Sequence, residues 1–216
     1  MSSGKKRLAK RYLFLCAGLL IMSFGVAFSI KGGLGTSPIS SLPYVVSLLT
    51  PLTVGTATIC LHCILILLQI LILRKNYDPI QLMQLPVAII FGYLTDFAVW
   101  AIQGIGVSSY LNQWIYCIIG ILLVGTGVSF EVTAGVVTVA GEGFVLAVCK
   151  AFPVKFANMK ISFDVTLVLI SCILSLAFLG GLYGVREGTI AAALCVGLTA
   201  KQMNKVLGKF ADRYLN

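Results

Sequence analysis

The residues able to do chemistry here are few, and they stand inside long apolar stretches. His62 and Asp164 each lie within an apolar run, Glu131 ends another, Asp96 sits in the outer part of a third, and Glu142 opens a shorter one. Charge placed in hydrocarbon is costly and is kept mainly where ions, protons or solutes pass. Histidine adds the capacity to exchange a proton near neutral pH. Each residue also has a purely structural use. Asp164 can pair with Lys160 one helical turn earlier. Asp96 and His62 can bond helix to helix, and Glu131 can sit among headgroups. Cys60-Leu61-His62-Cys63 invites a metal. On a helix, however, His62 points away from the face shared by the two cysteines, and metal ligands must converge. No metal is expected.

A second chemical feature belongs to the backbone. Lys31-Gly-Gly-Leu-Gly-Thr-Ser-Pro38 precedes an apolar stretch too short to cross a bilayer. Glycines permit a tight irregular path, and Ser37 before Pro38 is a sound helix N-cap and first-turn pair. A half-helix starting there would aim its positive dipole end and free N–H groups inward. Thr138-Val-Ala-Gly-Glu142 offers a matching start later in the chain. Gly35, Thr36, Ser37, His62, Thr138, Glu142 and Asp164 are therefore the candidate substrate-binding residues. A surface turn is the alternative reading of the first motif. A nucleophilic triad, a phosphate-cradling Gly-x-x-x-x-Gly-Lys and a zinc helix motif are all missing. Neither an enzyme nor an ATPase of its own is expected, and no cofactor is implied.

The elements that must carry these residues follow from composition. Of 216 residues, 59% are hydrophobic and 11% charged, and the mean hydropathy is +1.02. So few charges cannot cover a water-facing surface, which leaves lipid as the solvent. One all-α domain, a polytopic membrane helix bundle, is expected. Six runs have spanning length: about 12–31, 53–73, 81–103, 112–131, 158–182 and 188–207. Two shorter stretches, about 37–49 and 138–149, read as half-helices. The first run follows basic residues as a signal peptide would, but its length and lack of a cleavage site suggest a retained helix.

Net charge is +9, and its placement argues for topology rather than nucleic acid. With a cytoplasmic N-terminus, six crossings put 14 of the 16 Lys and Arg inside. The inside set is Lys5, Lys6, Arg7, Lys10 and Arg11, then Arg74 and Lys75, then Lys150, Lys155 and Lys160, then Lys201, Lys205, Lys209 and Arg213. Only Lys31 and Arg186 remain outside. Both termini are then cytoplasmic.

Residues 18–36 also align with 120–138 at a constant offset of 102, with seven identities in nineteen positions. Gly18, Gly25 and Gly33 fall on Gly120, Gly127 and Gly135, and the same offset carries His62 onto Asp164. Allowing three more residues, Gly92 falls on Gly197. Each copy, 12–103 and 112–207, holds three crossings, so the second enters from the opposite side. A 3+3 inverted repeat with a re-entrant segment in each half suits alternating access around a midplane site.

At Gly33-Leu-Gly-Thr-Ser-Pro38, Asp164 and Gly188-Thr189, the chain resembles the bacterial YczE/YyaS/YitT-like integral membrane proteins. Two departures are Gly197-Leu198, where members tend to have Gly-Pro, and His62, near a place usually taken by an amide. The resemblance implies a bacterial plasma-membrane protein and little about substrate. The expected function is a secondary transporter or exporter of a small molecule or ion. The alternatives are a substrate-binding subunit driven by a partner ATPase and a non-transporting accessory protein. A homodimer or a partner subunit is open, since the glycine-bearing helices can pack within one chain or between two.

Overall fold

The computed structural model describes residues 2–214, with side chains described for 7–208. Lys5, Lys6, Lys209 and Arg213, counted above among the inward-facing cations, lie outside the described side chains. Eight α-helices follow in order: α1 (Ser2–Gly32), α2 (Pro38–Leu49), α3 (Val54–Leu73), α4 (Gln84–Ala101), α5 (Tyr110–Ala134), α6 (Ala140–Ala151), α7 (Phe156–Leu179) and α8 (Glu187–Tyr214). Two 3₁₀ turns, Arg74–Asn76 and Pro79–Met83, link α3 to α4. No strand occurs among the described residues.

Among the described residues, five segments are long and apolar enough to cross a bilayer: Arg7–Gly32, Val54–Asn76, Pro79–Ala101, Tyr110–Ala134 and Phe156–Leu179. The protein is thus a multi-pass helical membrane protein. The sixth expected span differs. α8 is long, but its apolar stretch ends near Ala200, where Lys201-Gln202 begins a polar run. The two short helices fall where expected, at Pro38–Leu49 and Ala140–Ala151.

The centre of the bundle is the antiparallel pair α1 and α5. Gly18 lies against Gly127 and Phe130, Gly25 against Gly120 and Val124, and Gly32 against Gln113 and Cys117. A Cβ on Gly25 would stand 2.6 Å from the Val124 nitrogen and 2.9 Å from the Gly120 carbonyl oxygen. Small residues allow such close backbone approach, the usual glue between helices in lipid. These glycines therefore work within one chain. Leu15, Leu19, Met22, Val26 and Val124 form the buried core around the pair, with Val87 and Phe91 of α4.

The outer helices lean on this axis. α4 packs on α1 and α8 on α5; α3 packs on both α4 and α6, and α2 on α7. Gly55 and Gly92 bring α3 and α4 into backbone contact. Asp96 fixes that seam by accepting from the Gly55 N–H at 2.7 Å and the Thr53 hydroxyl at 2.6 Å. Its expected helix-to-helix role holds. By contrast α7 and α8, consecutive in the chain, scarcely touch.

Substituting Gly25→Val should destabilise the protein by about 1–3 kcal/mol through overpacking against fixed backbone. Gly197→Val should be nearly neutral, because a Cβ there meets nothing within 4 Å. Thermal unfolding of the purified variants in detergent compares the two.

Candidate functional site

Two short helices begin inside the bundle, and their starts meet. Ile39 of α2 packs directly on Gly141 of α6. Around this meeting point lies a cavity of about 290 Å³. Every long helix contributes to its wall, beginning with Met22 and Val26 of α1, Thr58 and His62 of α3, and Phe91 of α4. α5 adds Val124, Val128 and Glu131, α7 adds Lys160, Ile161 and Asp164, and α8 adds a face of alanines with Val196 and Gly197. The short-helix starts supply Ser37 to Ser40 and Val139 with Glu142.

Four of the seven expected residues, Ser37, His62, Glu142 and Asp164, line this one cavity. The other three do not. Gly35 and Thr36 are buried in the loop leading to α2, and Thr138 precedes α6 without reaching the wall. α6 starts at Ala140 with Val139 as its N-cap, one or two residues later than expected. The hydrophobic Val139 fits the cavity wall, and its N–H is capped from elsewhere.

That cap is Glu131. It is 2% exposed, and its Oε1 accepts the Val139 N–H at 2.6 Å. The carboxylate thus sits at the positive end of α6, where a negative charge is stabilised. The headgroup placement considered for Glu131 does not hold. Its local sequence gave no hint, because the partner lies eight residues ahead across a turn.

Ser37 is the N-cap residue of α2 but makes no capping bond. Its hydroxyl instead donates to the Ser40 hydroxyl at 3.0 Å. Pro38 opens the helix and has no N–H to satisfy. The preceding loop is held by the segment before α8, which the sequence marks as a tight turn. The Thr36 N–H donates to the Gly184 carbonyl at 3.1 Å, and the Gly188 N–H to the Leu34 carbonyl at 2.8 Å. The Arg186 guanidinium reaches the Gly33 carbonyl at 3.2 Å. Gly35 has φ +98°, and a Cβ there would collide with Thr189 and with the Arg186 nitrogen. The motif is a locked internal joint, so the surface-turn reading fails.

The short helices are seated by buried polar groups. Gln69 and Gln84, 2% and 1% exposed, exchange amide hydrogen bonds at 2.9 and 3.3 Å. Gln69 also donates to the Ala140 carbonyl at 3.2 Å, and Gly143 leaves room for the Gln84 amide. On the other short helix the Ser41 and Ser171 hydroxyls bond at 3.0 Å. Neither glutamine stands out in sequence, because only their partners reveal them.

The titratable groups of the wall fall into distinct states. Lys160 donates to Asp164 at 2.7 Å, the pairing anticipated from their spacing. Glu142, in the first turn of α6, has no hydrogen-bond partner among the described residues. His62 is 1% exposed and stacks on Phe91 with ring centroids 6.0 Å apart. Its Nδ1 is buried without a hydrogen-bond partner. Cys60 is exposed, so it does not converge with His62.

Residues 9–205 match a protein-family model described as a family of unknown function, DUF6198. The chain belongs to this family. YyaS of Bacillus subtilis (strain 168) is 34% identical over 118 residues, covering 54% of this chain and 57% of that protein. YczE of the same organism, described as an uncharacterized membrane protein, is 30% identical over 132 residues, 61% of this chain and 59% of its own. The matched region thus spans under three fifths of these two relatives. An uncharacterized Haemophilus influenzae protein (strain ATCC 51907 / DSM 11121 / KW20 / Rd) is 23% identical over 189 residues, 87% of this chain and 80% of its own. The YczE/YyaS-like resemblance is therefore correct for this DUF6198 member. No solved structure matches.

Replacing Glu131 by Ala leaves the Val139 N–H buried without an acceptor, a loss of about 1–3 kcal/mol. Hydrogen exchange should then rise first at the start of α6, and Glu131→Gln, which keeps an acceptor oxygen, should recover part of the loss.

Proposed function

We propose that the protein is a secondary transporter of a small solute, built as a 3+3 inverted repeat around the central cavity. The observation that carries this reading is the meeting of two half-helix starts at one cavity that also holds Glu142, Asp164, Lys160 and His62. Half-helix ends at such a place are typical of solute sites in membrane transporters.

Contacts between the halves support the repeat. Exchanging residues by the 102 offset turns the Gly18–Gly127 contact into Gly120–Gly25, and both occur. It turns the packing of α3 on α6 into that of α7 on α2, and both occur. It also carries Gln69 and Gly143 onto Ser171 and Ser41, which seat the other short helix. On this reading α8 is the sixth crossing, its polar end tolerated by packing on α5, where Ser129 bonds Asn204. The charge distribution then places both termini in the cytoplasm of a bacterial cell, with the chain in its plasma membrane.

Proteoliposomes loaded with a bacterial metabolite extract, assayed by mass spectrometry of released solutes, test this function. Saturable release should occur and should fall roughly tenfold or more in Glu142→Gln, the expected loss for a polar group in a membrane solute pathway. Unchanged behaviour on replacing Glu142 and His62 by Ala would favour an accessory role. Cysteine labelling that put the two termini on opposite faces would end the repeat.

A further inference from the structure

The cavity has one weak wall. Under exchange of the halves, the α3–α4 seam corresponds to that between α7 and α8. The first is shut: a Cβ on Gly92 would stand 2.5 Å from the Ile59 side chain and 2.7 Å from the Gly55 carbonyl oxygen. The second is open. Gly197, the counterpart of Gly92, faces nothing within 4 Å, yet it lines the cavity. Ile161 across the seam also lines the cavity and is 63% exposed. Residues that are at once cavity wall and outer surface define an opening, and this one lies between two helices on the flank of the bundle.

The lining states what could pass. Most of the wall is aliphatic, so the occupant has an apolar body. Its polar end meets three carboxylates and one ammonium. Asp164 holds that ammonium at 2.7 Å, and Glu131 holds the Val139 N–H at 2.6 Å. Among the described residues Glu142 accepts no hydrogen bond and shares the field of the Lys160 ammonium that Asp164 already holds, and in the same cavity the His62 Nδ1 is buried and unpartnered. A carboxylate that accepts no hydrogen bond in a mostly aliphatic cavity calls for a cationic donor.

We propose that the α7–α8 seam is a lateral doorway through which an amphipathic amine passes between bilayer and cavity, with Glu142 as counter-ion to its ammonium. The proposal deepens the transport reading above and rests on it for the cavity being a solute site.

The test uses the full chain in nanodiscs and tritiated 4-phenylbutylamine, read by scintillation proximity with empty nanodiscs subtracted. Binding should be saturable, displaced by unlabelled amine, and displaced roughly tenfold less well by 4-phenylbutanol and less still by 4-phenylbutanoate. Glu142→Gln should weaken it by about tenfold or more, while the charge-conserving Glu142→Asp retains measurable affinity. Gly197→Trp, which fills open space, should leave the unfolding temperature unchanged and slow association roughly tenfold. The proposal is overturned if binding is not saturable, if the carboxylate competes as well as the amine, if Glu142→Gln binds normally, or if Gly197→Trp associates at the native rate. An intermolecular disulfide through Gly197→Cys, in a chain lacking other cysteines, would make the seam a dimer contact and also overturn it. The two readings fail separately. Amine binding without flux removes transport and leaves the site, whereas Glu142-dependent flux of a solute without amine binding removes the amine and leaves transport.

Discussion

The architecture rests on how closely two backbones approach. Gly18 and Gly25 on α1 face Gly127 and Gly120 on α5, leaving no room for a Cβ on either side. In lipid no hydrophobic gain separates helix contact from lipid contact, so dispersion between close backbones must hold the pair. With that axis set, the remaining helices have defined places. α4 and α8 flank it, and α3 and α7 hold the two short helices. Widening the axis by one methyl group would move the walls of the cavity as well as the core.

Buried polar groups then divide into those that finish the structure and those left over. Glu131 closes the start of α6, Asp96 closes the start of α3, and Gln69 with Gln84 hold the first carbonyl of α6. The two acids answer N–H groups that helix geometry leaves unpaired, and the glutamines satisfy one another's buried amides. Among the described residues Glu142 accepts no hydrogen bond, and the Nδ1 of His62 is buried without a partner. Polar groups that line a cavity without a hydrogen-bond partner are where a ligand is best sought.

Much of this was legible in the sequence, for identifiable reasons. Apolar runs mark the helices because hydrocarbon thickness fixes their length. The seven aligned identities mark the glycine axis, and Ser37-Pro38 marks the start of α2 because proline is tolerated at a first turn. His62, Glu142 and Asp164 were visible as charge in apolar surroundings. What stayed hidden depends on partners distant in the chain. Glu131 as a cap, the Gln69–Gln84 pair and the part Lys160 plays in the wall need the fold to be seen. Thr138 misled because α6 is capped from another helix rather than by its own preceding residue. α8 was read as a plain span, though its apolar stretch gives way to Lys201-Gln202.

The two short helices are fastened by different chemistry. A pair of glutamine side chains, each able to give and take, joins α3 to α4, and Gln69 carries one bond on to the first carbonyl of α6. α2 is tied to α7 by a single pair of hydroxyls. Lifting α6 from its seat breaks the Gln69 bond and the Glu131 cap, while drawing α2 away breaks the hydroxyl pair and strains the loop that Gly184, Gly188 and Arg186 hold. Both sides of the centre are thus anchored through other helices rather than within the short helices themselves. Any deformation of the chamber must therefore move α3 or α7 along with the short helix it carries.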